Sequence, residues 1–459
     1  MADSSGQTST MSEQEKRASI GLAGIFSMRM LGLFMILPVM SLYTEHLDGM
    51  TPLLLGLAIS VYGLTQALLQ IPFGLMSDRF GRKRIITIGL LLFIAGSVVA
   101  AMSTTIYGII AGRALQGSGA VAAAVMALAA DLTLEQNRTK IMGTIGISIG
   151  LSFGIAMVLG PILASIVGLS GIFWFTAILA SFGIVILHKV VPQPAKLTVH
   201  KDAEPIPALM GKVLKDGQLL RLDVGIFCLH LVMTAMFVVL PLLLRGKLGI
   251  AAEDHWMVYL PVLALSVAAM VPFIIIAEKK RKMKVIFVGA VGTLSAACVG
   301  MYFFSGQLWG MLFMLWLFFT AFNLLEATLP SLISKIAFAG GKGTAMGVYS
   351  SAQFFGAFCG GLLGGYVWDA VGLSEVFLLC AAVLFVWFII AFSMQSPRHM
   401  SSLLKHVDIQ SAEQAKQITD KLLAVKGVLD VGLSADDSTA YLKVDNDLLD
   451  ESAVDAILS

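Results

Sequence analysis

Residues 51–104 read TPLLLGLAISVYGLTQALLQIPFGLMSDRFGRKRIITIGLLLFIAGSVVAAMST. A short basic segment, Asp78–Arg84, separates two apolar runs. Each run approaches the ~20 residues that an α-helix needs to cross the hydrocarbon core of a membrane. The stretch therefore predicts two membrane-spanning helices joined by a tight basic loop, and most of the chain repeats this pattern.

The composition excludes a water-soluble fold. Of 459 residues, 57% are hydrophobic and 13% are charged, whereas soluble domains carry about 25% charged residues. The lipid bilayer is therefore the first predicted partner. The net charge of +2 argues against nucleic acid, whose binding domains are strongly basic. An ATP-driven pump is excluded because the chain lacks a G-x-x-x-x-G-K-[ST] loop, and no nucleophile–base pair predicts an enzyme.

Apolar stretches of the required length predict twelve transmembrane helices. The first lacks the basic-then-apolar layout of a cleavable signal peptide, so we expect it to be retained. The predicted spans lie near residues 19–43, 51–75, 84–104, 106–130, 140–165, 169–191, 222–245, 255–277, 284–304, 307–334, 342–367 and 373–394.

The two halves of the chain resemble each other. Pro72-Phe73 precedes one basic loop, and Pro272-Phe273 precedes another. Six helices per half would put the repeats in parallel about an axis along the membrane normal, as in transporters that rock two bundles around a central site. The predicted fold is an all-α membrane protein with two pseudo-symmetric six-helix bundles, residues 18–191 and 222–395.

Three polar segments complete the predicted domain organisation: a tail over 1–17, a linker over 192–221 and a soluble module over 398–459. The order βαββα predicts that the module is a small ferredoxin-like α+β domain, with a turn at Asp436–Ser438. Its predicted elements are Leu403–Ile409, Ala412–Val425, Val428–Leu433, Thr439–Val444 and Glu451–Leu458.

The C-terminal module resembles heavy-metal-associated domains, which carry paired cysteines before the first helix. The corresponding segment Asp408–Ala412 has none, so a soft metal would lack its thiolate ligands. The four cysteines of the chain lie in apolar runs without C-x-x-C spacing. We therefore predict no metal and no cofactor, and expect the module to act in regulation, self-association or contact with the inner loops.

Lysine and arginine accumulate on one side of the predicted spans. The clusters Arg79–Arg84 and Lys279–Lys284 share that side with the N-terminus, and the other side holds Arg245 and Lys247 beside several acids. Short loops rich in Lys and Arg stay in the cytoplasm. Both termini are therefore predicted to be cytoplasmic.

Three motifs carry a family resemblance. Gly74–Lys83 reads GLMSDRFGRK and resembles the signature loop G-x-L-x-D-R-x-G-R-[RK] of the major facilitator superfamily. The fourth helix resembles the family motif R-x-x-Q-G-x-G, and the fifth resembles the Gly-Pro motif of the drug/proton antiporter branch, although its closing Gly-Gly reads Leu163-Ala164 here. The matching residues are Arg113, Gln116 and Gly117 in the fourth helix and Gly150, Gly154, Gly160 and Pro161 in the fifth.

This resemblance covers residues 18–395 and implies a secondary transporter of the bacterial inner membrane. It implies proton-coupled efflux of small amphipathic or drug-like molecules by alternating access, with protons and a small-molecule substrate as partners. Two alternatives stay open: a proton symporter or uniporter for uptake, and a non-transporting membrane sensor whose output is the C-terminal domain.

The signature loop predicts a latch between the two bundles. Gly74 and Gly81 permit a tight turn, and the carboxylate of Asp78 suits a helix N-terminus, which the family pattern suggests is that of the eleventh helix. Arg82 is expected to pair with Asp131. Arg79, Lys83 and Arg138 complete the predicted set. The alternative is a basic loop that only fixes membrane orientation.

Few ionisable residues lie inside the predicted spans, and each is costly there, so each is a functional candidate. Arg29 and His230 lie at similar depth in helices 1 and 7, and Glu326 lies in helix 10 with Asn323 three residues earlier. Together they predict proton coupling at a central cavity. The alternative is a structural Arg29–Glu326 ion pair.

Overall fold

The computed structural model describes residues 11–44, 47–194, 206–395, 400–407, 412–434, 439–445 and 448–458. Its first half consists of helices α1 Glu13–Met35, α2 Met40–Tyr43, α3 Pro52–Phe80, α4 Arg82–Met102, α5 Ile106–Ser118, α6 Ala122–Asp131 and α7 Glu135–Lys189. A short helix α8, Pro207–Val213, precedes the second half, and the second half consists of α9 Gly217–Gly246, α10 His255–Lys279, α11 Met283–Phe303, α12 Leu308–Ile336, α13 Lys342–Ala370 and α14 Val376–Phe392. The chain continues as β1 Met400–His406, α15 Ala412–Leu423, β2 Val428–Ser434, β3 Thr439–Asp445 and α16 Glu451–Leu458.

Nine helical segments in the described chain are long and apolar enough to cross a membrane, and Val376–Phe392 is a shorter apolar helix. One of the nine, Lys140–Lys189, has 50 residues, more than twice the length that one crossing requires. It bends at Gly168, where φ is 67°, a left-handed conformation that glycine adopts most easily. The chain therefore crosses the membrane several times, and the count of twelve spans stays a prediction.

Local capping explains where the long helices begin. Ser12 and Glu15 form a reciprocal capping box at α1, and Thr51 caps α3 just before Pro52, the first residue of that helix. The Asp216 carboxylate accepts hydrogen bonds from the first turn of α9. Such caps satisfy backbone N–H groups that have no partner inside a helix.

Both halves pack against each other at one end of the helices. We call the end with the basic loops 79–84 and 279–284 the basic end. At the opposite end, a Cβ atom on Gly56 of α3 would overlap the carbonyl oxygen of Gly361 in α13, and Gly365 approaches Pro52. Ser41 also donates a hydrogen bond across the halves to the carbonyl of Val238, at 2.9 Å. Glycine allows this backbone approach because it lacks a side chain.

Within the second half, α13 packs on α9 through a second set of glycines. Gly356, Gly360 and Gly364 lie against the backbone of Phe227, Leu231 and Ala235, at a constant offset of 129 residues. The constant offset means that α9 and α13 run parallel. This register places Ala352 level with Asp223 near the basic end.

The C-terminal segment forms an antiparallel three-stranded sheet with the order β1-β3-β2. Its described elements follow the predicted order, although β1 covers 400–406 where 403–409 was predicted. A small core of its own is formed by Leu422, Val428, Leu442, Val444 and Val454. The predicted turn at Asp436–Ser438 lies outside the described residues, and the ferredoxin-like assignment and domain boundaries stay predictions.

Lys405 joins the first strand to the last helix of this segment. Its ammonium group lies 2.8 Å from an Asp455 oxygen and 3.1 Å from a Glu451 oxygen. The carboxylates of Asp455 and Glu451 raise the pKa of Lys405 above its usual value, because they stabilise the charged form.

The sheet contacts the basic end of the second half at the loop over residues 337–341. The Ala339 amide donates a hydrogen bond to Asp430 at 2.9 Å, and Gly432 lies against the Ala339 carbonyl. Lys443 donates to the carbonyl of Ser334, in the last turn of α12, at 2.9 Å. A cation is favourable at this helix C-terminus.

We predict that Gly356→Ala lowers the thermal stability of the purified protein, because the new methyl group would overlap the Phe227 backbone. Overpacking of this kind costs about 1–3 kcal/mol. The matched control is Gly289→Ala in α11, where a Cβ atom meets nothing within 4 Å. Thermal unfolding in detergent measures both variants, and a Gly356→Ala protein that melts with or above the control would contradict the packing argument.

Candidate functional site

The signature loop is organised around the side chain of Arg82. Gly81, with φ 97°, makes the turn between α3 and α4, and Arg82 then points into the protein with 2% exposure. Its guanidinium bonds Asp78, lies 2.9 Å from an Asp131 oxygen and donates to Ser77 at 2.9 Å. The predicted Arg82–Asp131 pair is therefore present, and it ties the loop to the end of α6.

Asp78 does not cap the eleventh predicted helix in this structure. That helix, α13, begins after Gly341 without a side-chain cap among the described residues, and Asp78 bonds Arg82 instead. The predicted latch between the two halves is thus not closed here. The reason is geometric, because the close contacts between the halves described above lie at the opposite end.

The other basic residues of the loop set have separate positions. Lys83 donates to the carbonyl of Val191, just beyond the end of α7, at 2.5 Å. The guanidinium of Arg79 lies 5.7 Å from the ring centroid of Phe80. Arg138 lies in the first turns of α7. Their part in a latch stays a prediction.

The fourth-helix motif binds to α3. Arg113 is 1% exposed and donates to the carbonyl of Ile59 at 3.1 Å and to the Gln116 amide oxygen at 2.9 Å. Gln116 in turn donates to Ser97 at 2.7 Å. Gly117 is required because a Cβ atom there would overlap the Tyr62 carbonyl. The motif therefore fixes the middle of α3, the helix through which the first half contacts α13.

The glycines of the fifth-helix motif fall into two groups. Gly160, which precedes Pro161, approaches the Met35 carbonyl, where a Cβ atom would lie 2.9 Å from the oxygen. At Gly150 and Gly154 a Cβ atom would meet nothing within 4 Å. Close packing thus accounts for Gly160, and the role of Gly150 and Gly154 stays a prediction.

Arg29 binds within the first half and not to Glu326. One guanidinium nitrogen donates to the Tyr62 hydroxyl and to the Gln66 side-chain oxygen, both at 2.6 Å. Its Nε and other terminal nitrogen are buried and have no hydrogen-bond partner among the described residues, while the guanidinium carbon lies 5.7 Å from the ring centroid of Phe93. The alternative of a structural Arg29–Glu326 pair is therefore absent from the part of the chain that the structure describes.

Glu326 lies in a separate polar cluster with His230 and Gln353. The Gln353 amide donates to His230 Nε2 at 2.8 Å and to Glu326 Oε1 at 3.4 Å. His230 Nε2 lies 3.9 Å from Glu326 Oε2. The Glu326 side chain is 39% accessible and that of His230 is 11% accessible. The cluster thus combines two titratable groups, a bridging amide and partial access to the surroundings.

Asn323 does not join this cluster. Its amide donates to Ser266 of α10 at 2.9 Å. Three residues of an α-helix correspond to a rotation of about 300°, which leaves Asn323 and Glu326 pointing roughly 60° apart. That difference directs Asn323 towards a neighbouring helix.

Sequence reasoning missed Asp223. Only 6% of this residue is exposed, and neither carboxylate oxygen has a hydrogen-bond partner among the described residues. The signal was present in the sequence, because Asp223 is the single acid in the run LRLDVGIF over 220–227. It lies one residue inside the predicted span and was overlooked as a boundary residue.

Comparisons with known proteins agree with this architecture. The sequence model of the Major Facilitator Superfamily matches residues 22–357 and 222–426. The inner membrane transport protein YajR of Escherichia coli (strain K12) is 48% identical over 437 residues, which cover 95% of this chain and 96% of that protein. An uncharacterized transporter of Buchnera aphidicola subsp. Baizongia pistaciae is 34% identical over 377 residues, which cover 82% of this chain and 95% of that protein.

Two solved structures share the fold at low sequence identity. The human organic anion transporter MFSD10 (TETRAN) superposes with a TM-score of 0.60 at 19% identity, covering 83% of this chain and 100% of that one. A bacterial homologue of the human lysosomal transporter Spinster, inward-facing and occupied, superposes with a TM-score of 0.67 at 13% identity, covering 83% and 97%. At these identities the likeness concerns the fold alone.

We predict that Arg82→Ala is strongly destabilising and that a second substitution partly reverses the loss. Arg82→Ala removes the cation beside buried Asp131, and breaking such a pair costs about 3–5 kcal/mol. The double variant Arg82→Ala/Asp131→Ala should unfold at a higher temperature than Arg82→Ala alone. Arg79→Ala, which removes a cation from the same loop, is the control and should melt like the parent. Equal losses in the single and double variants would show that the pair is not coupled.

Proposed function

The chain belongs to the major facilitator superfamily and is a multi-pass inner-membrane transporter, not an enzyme; on this premise we propose that it is a proton-coupled antiporter. We propose that it exports small amphipathic or drug-like molecules by alternating access. The observation that carries the proposal is the cluster of Glu326, His230 and Gln353 inside the second half. Ionisable groups at such depth are costly and mark ion pathways in membrane proteins.

The position of the contacts between the halves supports alternating access. Gly56, Gly361 and Ser41 hold the halves together at the opposite end, while Asp78 and the uncapped start of α13 lie at the basic end. In the predicted topology the basic end is cytoplasmic, so this arrangement corresponds to an inward-facing state. We propose that Asp78 caps α13 in the outward-facing state.

Exposure of Glu326 supports proton coupling. A carboxyl group takes up or releases a proton when its exposure to water changes, and the Glu326 side chain is partly accessible here. His230 Nε2 lies 3.9 Å from Glu326 Oε2, so a positive charge on the imidazole would stabilise the ionised form of Glu326. Movement of the halves would change the access of both groups, and so couple protonation to conformation.

Two directions of transport are distinguishable by one measurement. When substrate is added outside proteoliposomes, an antiporter moves protons out of the lumen as the substrate enters, whereas a symporter carries protons into the lumen with the substrate. The sign of the pH change on substrate addition therefore separates antiport from symport, and the absence of any coupled change indicates a uniporter. If an electrochemical gradient across the vesicle membrane moves no solute, the result would favour the alternative of a non-transporting membrane sensor.

We predict that Glu326→Gln uncouples substrate movement from the proton gradient. A compound that raises the melting temperature of the purified protein would be chosen as the transport probe from a set of amphipathic molecules. In proteoliposomes the variant should still exchange this probe down its own gradient but lose accumulation driven by a pH difference. The neutral side chain keeps the size of Glu326 but cannot ionise.

The matched control is Glu278→Gln at the basic end, where the carboxylate pairs with Lys335 at 3.0 Å and is 46% accessible. This variant removes an acid outside the cluster and should retain gradient-driven accumulation. Accumulation by Glu326→Gln at the parental rate would exclude Glu326 as the coupling residue.

We also propose that the C-terminal segment regulates transport through the loop at 337–341. The segment contacts this loop through Asp430 and Gly432, and from α8 the Lys212 ammonium lies 3.9 Å from the Phe338 ring centroid. Because the loop leads into α13, these contacts could set how easily the start of α13 meets Asp78. Self-association through the same segment is the alternative role.

We predict that Asp430→Ala loosens this loop while leaving the protein inserted. Loss of a charged acceptor costs about 1.5–3 kcal/mol, so amide exchange at Ala339 should accelerate by roughly tenfold or more. Hydrogen–deuterium exchange with mass spectrometry measures this on the full chain. Asp420→Ala, an exposed acid on α15, is the control, and equal protection of 337–341 in both variants would remove the basis for regulation.

A further inference from the structure

A second carboxyl group lies in the same half as Glu326, nearer the basic end. Asp223 is six residues into α9, about 9 Å from the helix start, and His230 follows about 10 Å further along the same helix. The N-cap of α9 is Asp216, so Asp223 has no capping role. Its burial therefore has no explanation in the folding of α9.

Several polar atoms in the second half are buried without partners. Both oxygens of Asp223, the hydroxyl of Tyr349 and Oε2 of Glu326 are buried without a hydrogen-bond partner among the described residues. Buried polar groups in proteins are nearly always bonded, to protein or to ordered water. An ionised carboxylate left alone in this position would cost several kcal/mol, so the site requires a proton, a cation or water to complete it.

Tyr349 of α13 is another buried polar residue in this half. Only 3% of it is exposed, and its hydroxyl has no hydrogen-bond partner among the described residues. Gln353, which bonds Glu326, lies one turn further along α13, and residues four apart share a helix face. Since Ala352 is level with Asp223 in the parallel register of the glycines, the backbone of Tyr349 lies three residues, about 4.5 Å, nearer the basic end than that of Asp223.

The surrounding charges favour a proton over a fixed counter-ion. No described side chain of α12 or α13 hydrogen-bonds Asp223, and α14 contributes the uncharged indole of Trp387 beside Gly225. On α9 itself Arg221 is two residues away and makes no hydrogen bond to Asp223, whose oxygens have none among the described residues. A buried carboxyl group with no cationic partner is neutralised most simply by protonation.

We propose that Asp223 is a second proton-binding site, nearer the basic end than Glu326. Its carboxylate takes up a proton from water at low pH and releases it to water at high pH, so that one O–H bond forms on uptake and breaks on release. The site would add a second titratable group to the proposed antiport, but its existence does not depend on antiport.

The test is pH-dependent infrared difference spectroscopy of the full-length protein in detergent, which detects the C=O stretch of protonated carboxyl groups. Between about pH 5 and 9, ordinary Asp and Glu side chains contribute little to this band because their usual pKa values lie near 4. We expect Asp223→Asn and Glu326→Gln each to remove about one carboxyl equivalent from it, and the double variant to remove both.

The matched control is Asp369→Asn, an exposed acid near the end of α13, which should leave the band unchanged. An Asp223→Asn spectrum identical to the parent would overturn the proton site. Loss of the Asp223 component on addition of sodium chloride at constant pH would assign the site to a sodium ion instead.

If Asp223→Asn does not fold, labelling the unaltered chain with 4-¹³C-aspartate keeps the question decidable. The label shifts the C=O band of a protonated aspartate, whereas the band of Glu326 keeps its position. A spectrum in which no band shifts would overturn the proposal. None of these measurements uses a transported substrate. The proposal of a proton site at Asp223 can therefore be disproved while the proposal of antiport stands. It can also be confirmed if the protein turns out to be a symporter or a uniporter.

Discussion

Backbone-to-backbone packing of α13 is the contact on which the rest of the structure depends. One set of glycines, at 356, 360 and 364, brings α13 against α9 in its own half, and a second, at 361 and 365, brings it against α3 in the other half. In lipid the hydrophobic effect does not drive helices together, so close approach and dispersion contacts have to do so. A helix with glycines on two faces can bind two neighbours tightly, and α13 is therefore the element shared by both halves.

The buried arginines of the first half differ in the kind of acceptor that they bind. Arg113 and Arg29 bind carbonyl, hydroxyl and amide oxygens within the first half, and Arg82 binds the carboxylates of Asp78 and Asp131. Neutral acceptors leave the charge of Arg113 and Arg29 largely uncompensated, which a low-dielectric interior penalises. These two residues therefore hold α3 at an energetic cost, and a structural purpose alone does not require a cation at either position.

The sequence predicted the parts of this arrangement that follow from local pattern. Apolar runs predicted the long helices, and the fixed spacing of Asp78, Gly81 and Arg82 predicted a loop whose Arg82–Asp131 pair is present. The order of strands and helices after residue 400 also followed from periodicity. Each of these depends on neighbours within a few residues or on a motif whose geometry is fixed by its own glycine.

Side-chain direction was not predictable in the same way. Depth along a helix placed Arg29 level with His230, but depth does not say which neighbour a long side chain faces, and Arg29 turned to Tyr62. Asn323 differs from Glu326 by only 60° of rotation, which is enough to give it a different partner. Asp223 was overlooked because an acid at the edge of an apolar run usually lies at the membrane surface, and only tertiary packing buries it.

In the proposed antiport, α13 is the route by which protonation acts on conformation. Gln353 on α13 bonds Glu326, one of the proposed proton sites, and Gly361 on the same helix contacts the first half. A change in protonation that alters the Gln353 bonds therefore acts on the helix that both halves share. Coupling between two sites of this kind typically amounts to about 1–3 kcal/mol, comparable to a few hydrogen bonds at about 1 kcal/mol each. The few polar contacts of α13 are thus sufficient in energy to bias the packing of the halves, provided that they change between the two states.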